Sequence, residues 1–180
     1  MASFEKAIKE ILKHEGGYVN NPNDPGGITN KGVTLRLIKD HPELGDFDLD
    51  GDVDAEDIKN MTVENATKIY KDLWWDKFGY GKFTNDAIAL KVFDFAVNAG
   101  ASRSHKILQA SINSFGMNLT VDGILGNATF QVVNHFADGD VDKLLATFRT
   151  KQYQFYVDIA TKNPKLQVFL KGWEHRAKAC

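Results

Sequence analysis

The chain has 180 residues, 43% of them hydrophobic and 26% charged, and its 22 basic and 24 acidic side chains leave a formal net charge of −2. That balance excludes a disordered or collagen-like chain and argues against a dedicated nucleic-acid binder. The one cysteine, Cys180, can form neither an internal disulfide nor a zinc site, and no apolar run is long enough for a spanning helix, so no membrane insertion is expected.

Ser3 is placed to cap a first helix whose apolar stripe is Phe4, Ala7, Ile8, Ile11 and Leu12, and Gly16-Gly17 ends it. This start has no export-signal core and no signal peptide, so the chain is expected to be made in the cytoplasm without directing its own export. Residues 18–34 are crowded with Asn, Pro, Gly and Asp, which predicts a structured loop or short hairpin. Leu35 to Lys39 reads as a short helix stopped by Pro42, ahead of an acidic run at 46–57. Thr62 opens a helix with the stripe Val63, Ala66, Ile69, Tyr70, Leu73 and Trp74, ending near Gly79.

Thr84 or Asn85 caps the next helix, whose run AIALKVFDFAVNAG is apolar almost all round and marks a buried central element. Asp94 and Asn98 lie four apart on it and share a face. Ser102 to Phe115 reads as a helix closed by Gly116. VDGILG makes a turn, and a helix capped by Asn127 follows. A long helix is expected from about Asp140 to Lys162, then a break at Pro164 and a final helix to Ala179. Strand-like alternation is nearly absent. The expected fold is mainly α, one domain in which an N-terminal region, residues 1–84, packs on a C-terminal helical region, residues 85–180.

The net charge conceals an asymmetry. Seven acidic residues fall between Asp46 and Asp57, and without them the chain would carry 22 basic against 17 acidic groups. The run matches a twelve-position calcium loop. Asp46, Asp48 and Asp50 stand at positions 1, 3 and 5, Gly51 at the sharp turn, and Asp52 offers its carbonyl at position 7. Val53 points inward at position 8, Asp54 acts through water at position 9, and Asp57 closes the loop at position 12. The alternative is a solvated acidic loop, but seven like charges repel without a cation. A single loop of this kind fits a structural Ca2+ rather than a sensor pair, and it resembles the half-EF-hands of dockerin modules, which also close on Asp.

Glu15 sits at the end of the first helix, where the negative end of the macrodipole disfavours its ionised form. Burial among apolar neighbours would raise its pKa further and make it a general acid for a glycosidic oxygen. Asp24 and Thr29 follow in the loop, which can fold back to set a carboxylate and a hydroxyl opposite it. From spacing alone the alternatives stand: Glu15 as a surface residue, Asp24 as an Asx-turn residue, Thr29 as a loop hydroxyl. Tyr18, Trp74 and Trp75 can stack on sugars or serve the core, and Asp94 and Asn98 can brace a cleft or touch a sugar. The five histidines show no metal spacing.

The run from His14 through Glu15-Gly16-Gly17-Tyr18 to Asn20, then Asn23-Asp24-Pro25-Gly26-Gly27-Ile28-Thr29, resembles the signature of glycoside hydrolase family 108, N-acetylmuramidases common among bacteriophage endolysins. The likeness continues through Asp57 to Thr62 and Tyr70 to Asp76. Phe93 to Gly100, Val121 to Gly126 and Phe169 to Trp173 resemble the peptidoglycan-binding region paired with that family. The resemblance implies a lysozyme-like fold and cleavage of the β-1,4 bond between N-acetylmuramic acid and N-acetylglucosamine. Glu15 would be the acid. Asp24 and Thr29 would assist by a second likeness, to the Glu/Asp/Thr set of phage T4-type lysozymes. Tyr18 and Asn98 are the candidate sugar contacts, and Asp46, Asp48, Asp50, Asp52 and Asp57 the candidate metal ligands. The implied partner is bacterial peptidoglycan, reached after holin-type release into the periplasm or wall by a monomer without organic cofactor. Competing classes are a lytic transglycosylase and a non-catalytic, calcium-dependent peptidoglycan-binding module.

Overall fold

The computed structural model describes residues 1–14, 17–20 and 27–179, and divides into two compact units, Phe4–Lys77 and Phe78–Cys180, the latter joined by Met1–Ser3. It is mainly helical, with one small antiparallel sheet among the described residues. No described helix is long and apolar enough to cross a membrane.

In the first unit, helix α1 (Phe4–His14) buries Phe4, Ala7, Ile8 and Ile11 of the expected stripe and leaves Leu12 half-buried. The Asn- and Gly-rich segment forms a hairpin of β1 (Thr29–Asn30) and β2 (Val33–Thr34). Its connecting residues Lys31 and Gly32 have φ of 49° and 75°. Two left-handed residues in succession make the mirror-image turn whose twist suits antiparallel strands. Helix α2 (Leu35–Lys39) is capped by Thr34, whose Oγ1 accepts the Leu37 N–H at 3.1 Å. Helix α3 (Ala55–Asn60), which the acidic run conceals in the sequence, starts from Asp54 as its cap. Helix α4 (Val63–Tyr70) begins with a reciprocal Thr62–Asn65 cap and continues into a widened π-helical turn over Lys71–Asp76.

The hairpin is tied down from beneath. Asn30 is 4% exposed, and its Nδ2 donates to the Ile58 carbonyl of α3 at 2.8 Å. Lys31 Nζ donates to the Met61 carbonyl at 2.9 Å, and Tyr70 Oη donates to the Lys31 carbonyl at 3.0 Å. Buried polar groups persist only when partnered, so these three bonds fix the hairpin against α3 and α4.

In the second unit, α5 (Asp86–Ala99) is capped by Asn85, whose Oδ1 accepts from Ala87 and Ile88. It is buried around most of its circumference, as its composition predicts. Helix α6 (Ala101–Asn113) follows, then α7 (Asn127–Lys162) and α8 (Leu170–Lys178), with a 3-10 turn over Pro164–Phe169 between the last two. The two helices expected from the sequence follow one another directly as α7, their boundary marked by the non-helical backbone of Asp140 (φ −135°, ψ 38°). Its cap is Gly126 rather than Asn127, which is already helical.

Helix α5 carries a lysine with no exposed surface. Lys91 Nζ donates to the carbonyls of Ala177 and Ala179, both at 2.8 Å, and of Arg176 at 3.4 Å. A cation at a helix C-terminus meets both orphan carbonyls and the negative dipole end. One turn on, Asp94 accepts from Arg176 at 3.0 Å. The turn after α6 is fixed the same way. His105 Nδ1 meets the Gly123 carbonyl at 2.9 Å and its Nε2 meets Tyr80 Oη at 2.9 Å. A carbonyl only accepts, so Nδ1 carries the hydrogen and Tyr80 donates to Nε2. Gln109 Oε1 accepts the Gly123 N–H at 2.8 Å, and Gln109 Nε2 donates to Asp122 and the Ile124 carbonyl. A Cβ on Gly123, at φ 82°, would lie 2.7 Å from Ser102 Oγ and 2.8 Å from the Ser102 carbonyl oxygen, so only glycine fits.

Burial holds the His105 pKa below the ordinary histidine value, against the raising effect of its bond to Gly123. The unfolded chain therefore takes the proton first, and the stabilisation is complete above about pH 6.5 and lost as pH falls further. Denaturant melts from about pH 7.5 to about 5.5 should show wild type losing stability relative to His105→Leu, whose pH slope is shallower. Lys91→Met leaves the α8 carbonyls unmatched and should cost about 2–3 kcal/mol by the same measurement at neutral pH.

Candidate active site and acidic loop

Thr29 lies on β1, half-buried, with Oγ1 donating to the Gly27 carbonyl at 3.3 Å. Its backbone also faces Val19: Val19 N–H to the Thr29 carbonyl at 2.8 Å, Thr29 N–H to the Val19 carbonyl at 2.9 Å. Val19 thus makes an isolated antiparallel bridge to the strand that carries Thr29. Tyr18 precedes this bridge and is 41% exposed. Helix α1 stops at His14. Glu15 and Asp24, the other two candidate catalytic residues, lie outside the described residues.

Trp75 is buried against Phe4, ring centroids 5.5 Å apart, and so belongs to the core of its unit. Asn98 belongs to the second unit. It is exposed, and its Oδ1 accepts from Tyr156 Oη at 2.9 Å, a bond between α5 and α7. Tyr156 in turn stacks on Trp173, with centroids 5.0 Å apart. Near the C-terminus, Arg176 is paired with Asp94 and Lys178 with Glu174.

The acidic loop folds around its own carboxylates. Oxygens of Asp46, Asp48 and Asp50 lie within 4.8 Å of one another, and so do those of Asp52, Asp54 and Asp57. Two oxygens bound to one calcium stand at most about 5 Å apart, so each trio has suitable spacing. Gly51, at φ 97°, makes the sharp turn and donates its N–H to Asp46 Oδ2 at 3.2 Å. Asp50 N–H donates to Asp48, and Asp52 N–H to Asp50. Asp57 is 1% exposed; its two oxygens accept the N–H groups of Phe47 at 2.7 Å and Asp54 at 2.8 Å. Position 12 thereby clamps the entry of the loop to its exit and serves as the N3 partner in the α3 capping box. A Cβ on Gly45 would come within 3.2 Å of Val53 Cγ1, so position 8 turns inward as its apolar character implies.

The electrostatics are strained in one direction. Asp48 is raised in pKa by lost solvation, with the charges of Asp50, Asp57 and Asp46 adding, and Asp52 is raised chiefly by Asp50. Asp46 Oδ1 is buried and has no hydrogen-bond partner among the described residues. An orphaned carboxylate oxygen beside mutually repelling neighbours is a donor set suited to a hard cation. The sequence pattern did not mark Asn30, which links this loop's exit helix to the strand bearing Thr29; its only signal is its place beside the Lys31-Gly32 turn.

The comparisons with known proteins agree along the chain. The family described as Glycosyl hydrolase 108 matches residues 8–100, and the region described as "Predicted Peptidoglycan domain" matches residues 103–178. No curated protein matches. Among solved structures, the chain is similar to Brucella abortus SagA, with a TM-score of 0.71 and 25% identity over 98% of this chain and 94% of that one. The fold is accordingly lysozyme-like and mainly α, and the two regions point to a peptidoglycan-hydrolysing enzyme with peptidoglycan as substrate or partner. The chain belongs to the glycosyl hydrolase 108 family.

Proposed function

We propose that the chain is a muramidase that hydrolyses the β-1,4 bond between N-acetylmuramic acid and N-acetylglucosamine, with Glu15 as the general acid. The family match over residues 8–100, which contains the Glu15-Gly16-Gly17 motif, carries this reading. The end of α1 at His14 and the Val19–Thr29 bridge support it, because they give the residues on either side of the motif fixed backbone partners. In the proposed reaction Glu15 protonates the glycosidic oxygen as the bond breaks. Asp24 stabilises the positive charge growing at the anomeric carbon, and Thr29 orients the incoming water. Tyr18 and Asn98 are the proposed sugar contacts. The enzyme would act as a monomer on the wall after release from the host cytoplasm, in the manner of a phage endolysin.

We also propose one structural Ca2+ in residues 46–57, held by the side chains of Asp46, Asp48, Asp50 and Asp57 and the Asp52 carbonyl, with Asp54 through water. The buried, unpartnered Asp46 Oδ1 supports this. Asp57 spends one lone pair per oxygen on backbone N–H groups, and each oxygen keeps another for a cation. The ion's role would be to neutralise the loop and hold the start of α3.

Glu15→Gln should keep the wild-type melting temperature and lose about 10²–10⁴-fold in wall-degrading rate; full activity in that variant would refute the assigned role. Mass spectrometry of digested peptidoglycan should show reducing muramic-acid ends, whereas anhydro-muramyl ends would convert the reading to a lytic transglycosylase. Calcium at about a hundred times its dissociation constant should add ~2.7 kcal/mol of stability over chelator. That is a rise of roughly 5–11 °C for a chain of this size. Asp48→Asn with Asp50→Asn should abolish the rise, and a wild-type melt indifferent to calcium rules the site out.

A further inference from the structure

Within the second unit, α6 and α7 line an open cavity of about 630 Å³ beside the Ala99–Gly100–Ala101 turn. Its volume is that of a small-ligand pocket. Arg103 and Lys106 reach it from α6 and Lys151 from α7, and the one carboxylate in its wall is Asp158. Asp158 is already engaged, accepting from Gln154 Nε2 at 2.8 Å. Neither Lys106 nor Lys151 forms an ion pair with a described residue. The Arg103 guanidinium lies 4.6 Å from the centre of the Phe155 ring, a cation–π contact that holds its plane and leaves N–H groups for an acceptor. Phe155 and Ile107 supply an apolar wall. The turn joins the carbonyl end of α5 to the amino end of α6, and Arg103 Nη1 donates to the Ala99 carbonyl there, which further fixes the guanidinium.

A cavity with excess cations on an apolar wall selects a ligand that bears carboxylates on short aliphatic units. A neutral sugar lacks the charge, and a phosphodiester polymer makes little use of Phe155 and Ile107. We propose that this cavity binds the carboxylate-bearing peptide stem of peptidoglycan, an inference that rests on peptidoglycan being the polymer the chain acts on. The stem's carboxylates pair with Arg103, Lys106 and Lys151, and its alanine methyl and methylene groups lie on Phe155. The peptidoglycan-binding region would then read the peptide, while the residues around Thr29 act on the glycan.

The test is calorimetric titration of the intact chain with three probes. These are a disaccharide-tetrapeptide, which contains no muramic-acid-to-glucosamine bond to cut, the same disaccharide without peptide, and poly(glycerol phosphate). The tetrapeptide fragment should bind at least about tenfold more tightly than the bare disaccharide, a difference of ~1.4 kcal/mol. Its affinity should fall as salt is raised. Lys106→Gln with Lys151→Gln, the first exposed and the second half-buried, should weaken it by about tenfold or more without altering cleavage of peptide-free glycan strands. Equal binding of the two disaccharides, or a double variant that binds like wild type, overturns the proposal. So does tighter binding of poly(glycerol phosphate) than of the tetrapeptide fragment. Because cleavage of peptide-free strands is read in the same preparations, a wild-type chain that cuts those strands but binds the two disaccharides equally removes the cavity assignment alone.

Discussion

A fully buried ammonium is tolerated only where the fold brings acceptors to all its donors, and Lys91 sets that condition at the centre of α5. The carbonyls that meet it belong to the end of α8. Helix α8 must therefore end against the middle of α5, and the Asp94–Arg176 pair one turn further along fixes its rotation. Tyr156 then bonds Asn98 at the end of α5 and stacks on Trp173 of α8, which brings α7 into the same arrangement. Apolar contacts supply most of the cohesion, but they are permissive in direction; the few polar ties select one packing among several of similar burial.

The first unit obeys the same rule with a neutral group. Asn30 is buried on β1 and donates from its amide to the Ile58 carbonyl of α3. The α3 helix starts from Asp54 and Asp57, members of the acidic loop. The charged loop, the helix it nucleates and the strand with Thr29 are thus consecutive members of one hydrogen-bonded chain. An ion bound in that loop would act on the hairpin through bonds that already exist.

Much of this was legible in the residues. The α1 stripe, the short α2, the buried α5 and the hairpin near Asn30 follow from periodicity and turn chemistry. The Gly51 turn and the inward Val53 follow from the loop register. What was hidden had a physical cause. Helix α3 was masked because Asp54 and Asp57 read equally well as cation ligands and as a capping box, and in the fold the same carboxylates serve the cap. Nothing within the apolar run marks Lys91, because the carbonyls it meets lie more than eighty residues away in sequence. The cations of the α6–α7 cavity are scattered in sequence and meet only in three dimensions. Thr29 could be placed in its strand, whereas Glu15 and Asp24 rest on the motif.

The spans of these polar ties also order the assembly of the second unit in time. His105 reaches Gly123 across 18 residues and Tyr80 across 25, so these loops close at small entropic cost. Lys91 meets Ala177 across 86. On a growing chain, α5, α6 and the turn between α6 and α7 are complete while the acceptors for Lys91 have yet to be synthesised. Until α8 arrives, the most buried helix of the unit holds an ammonium that must stay wet. The hydrophobic centre therefore cannot seal early on an incomplete chain, and the arrival of α8 is the event that dries it.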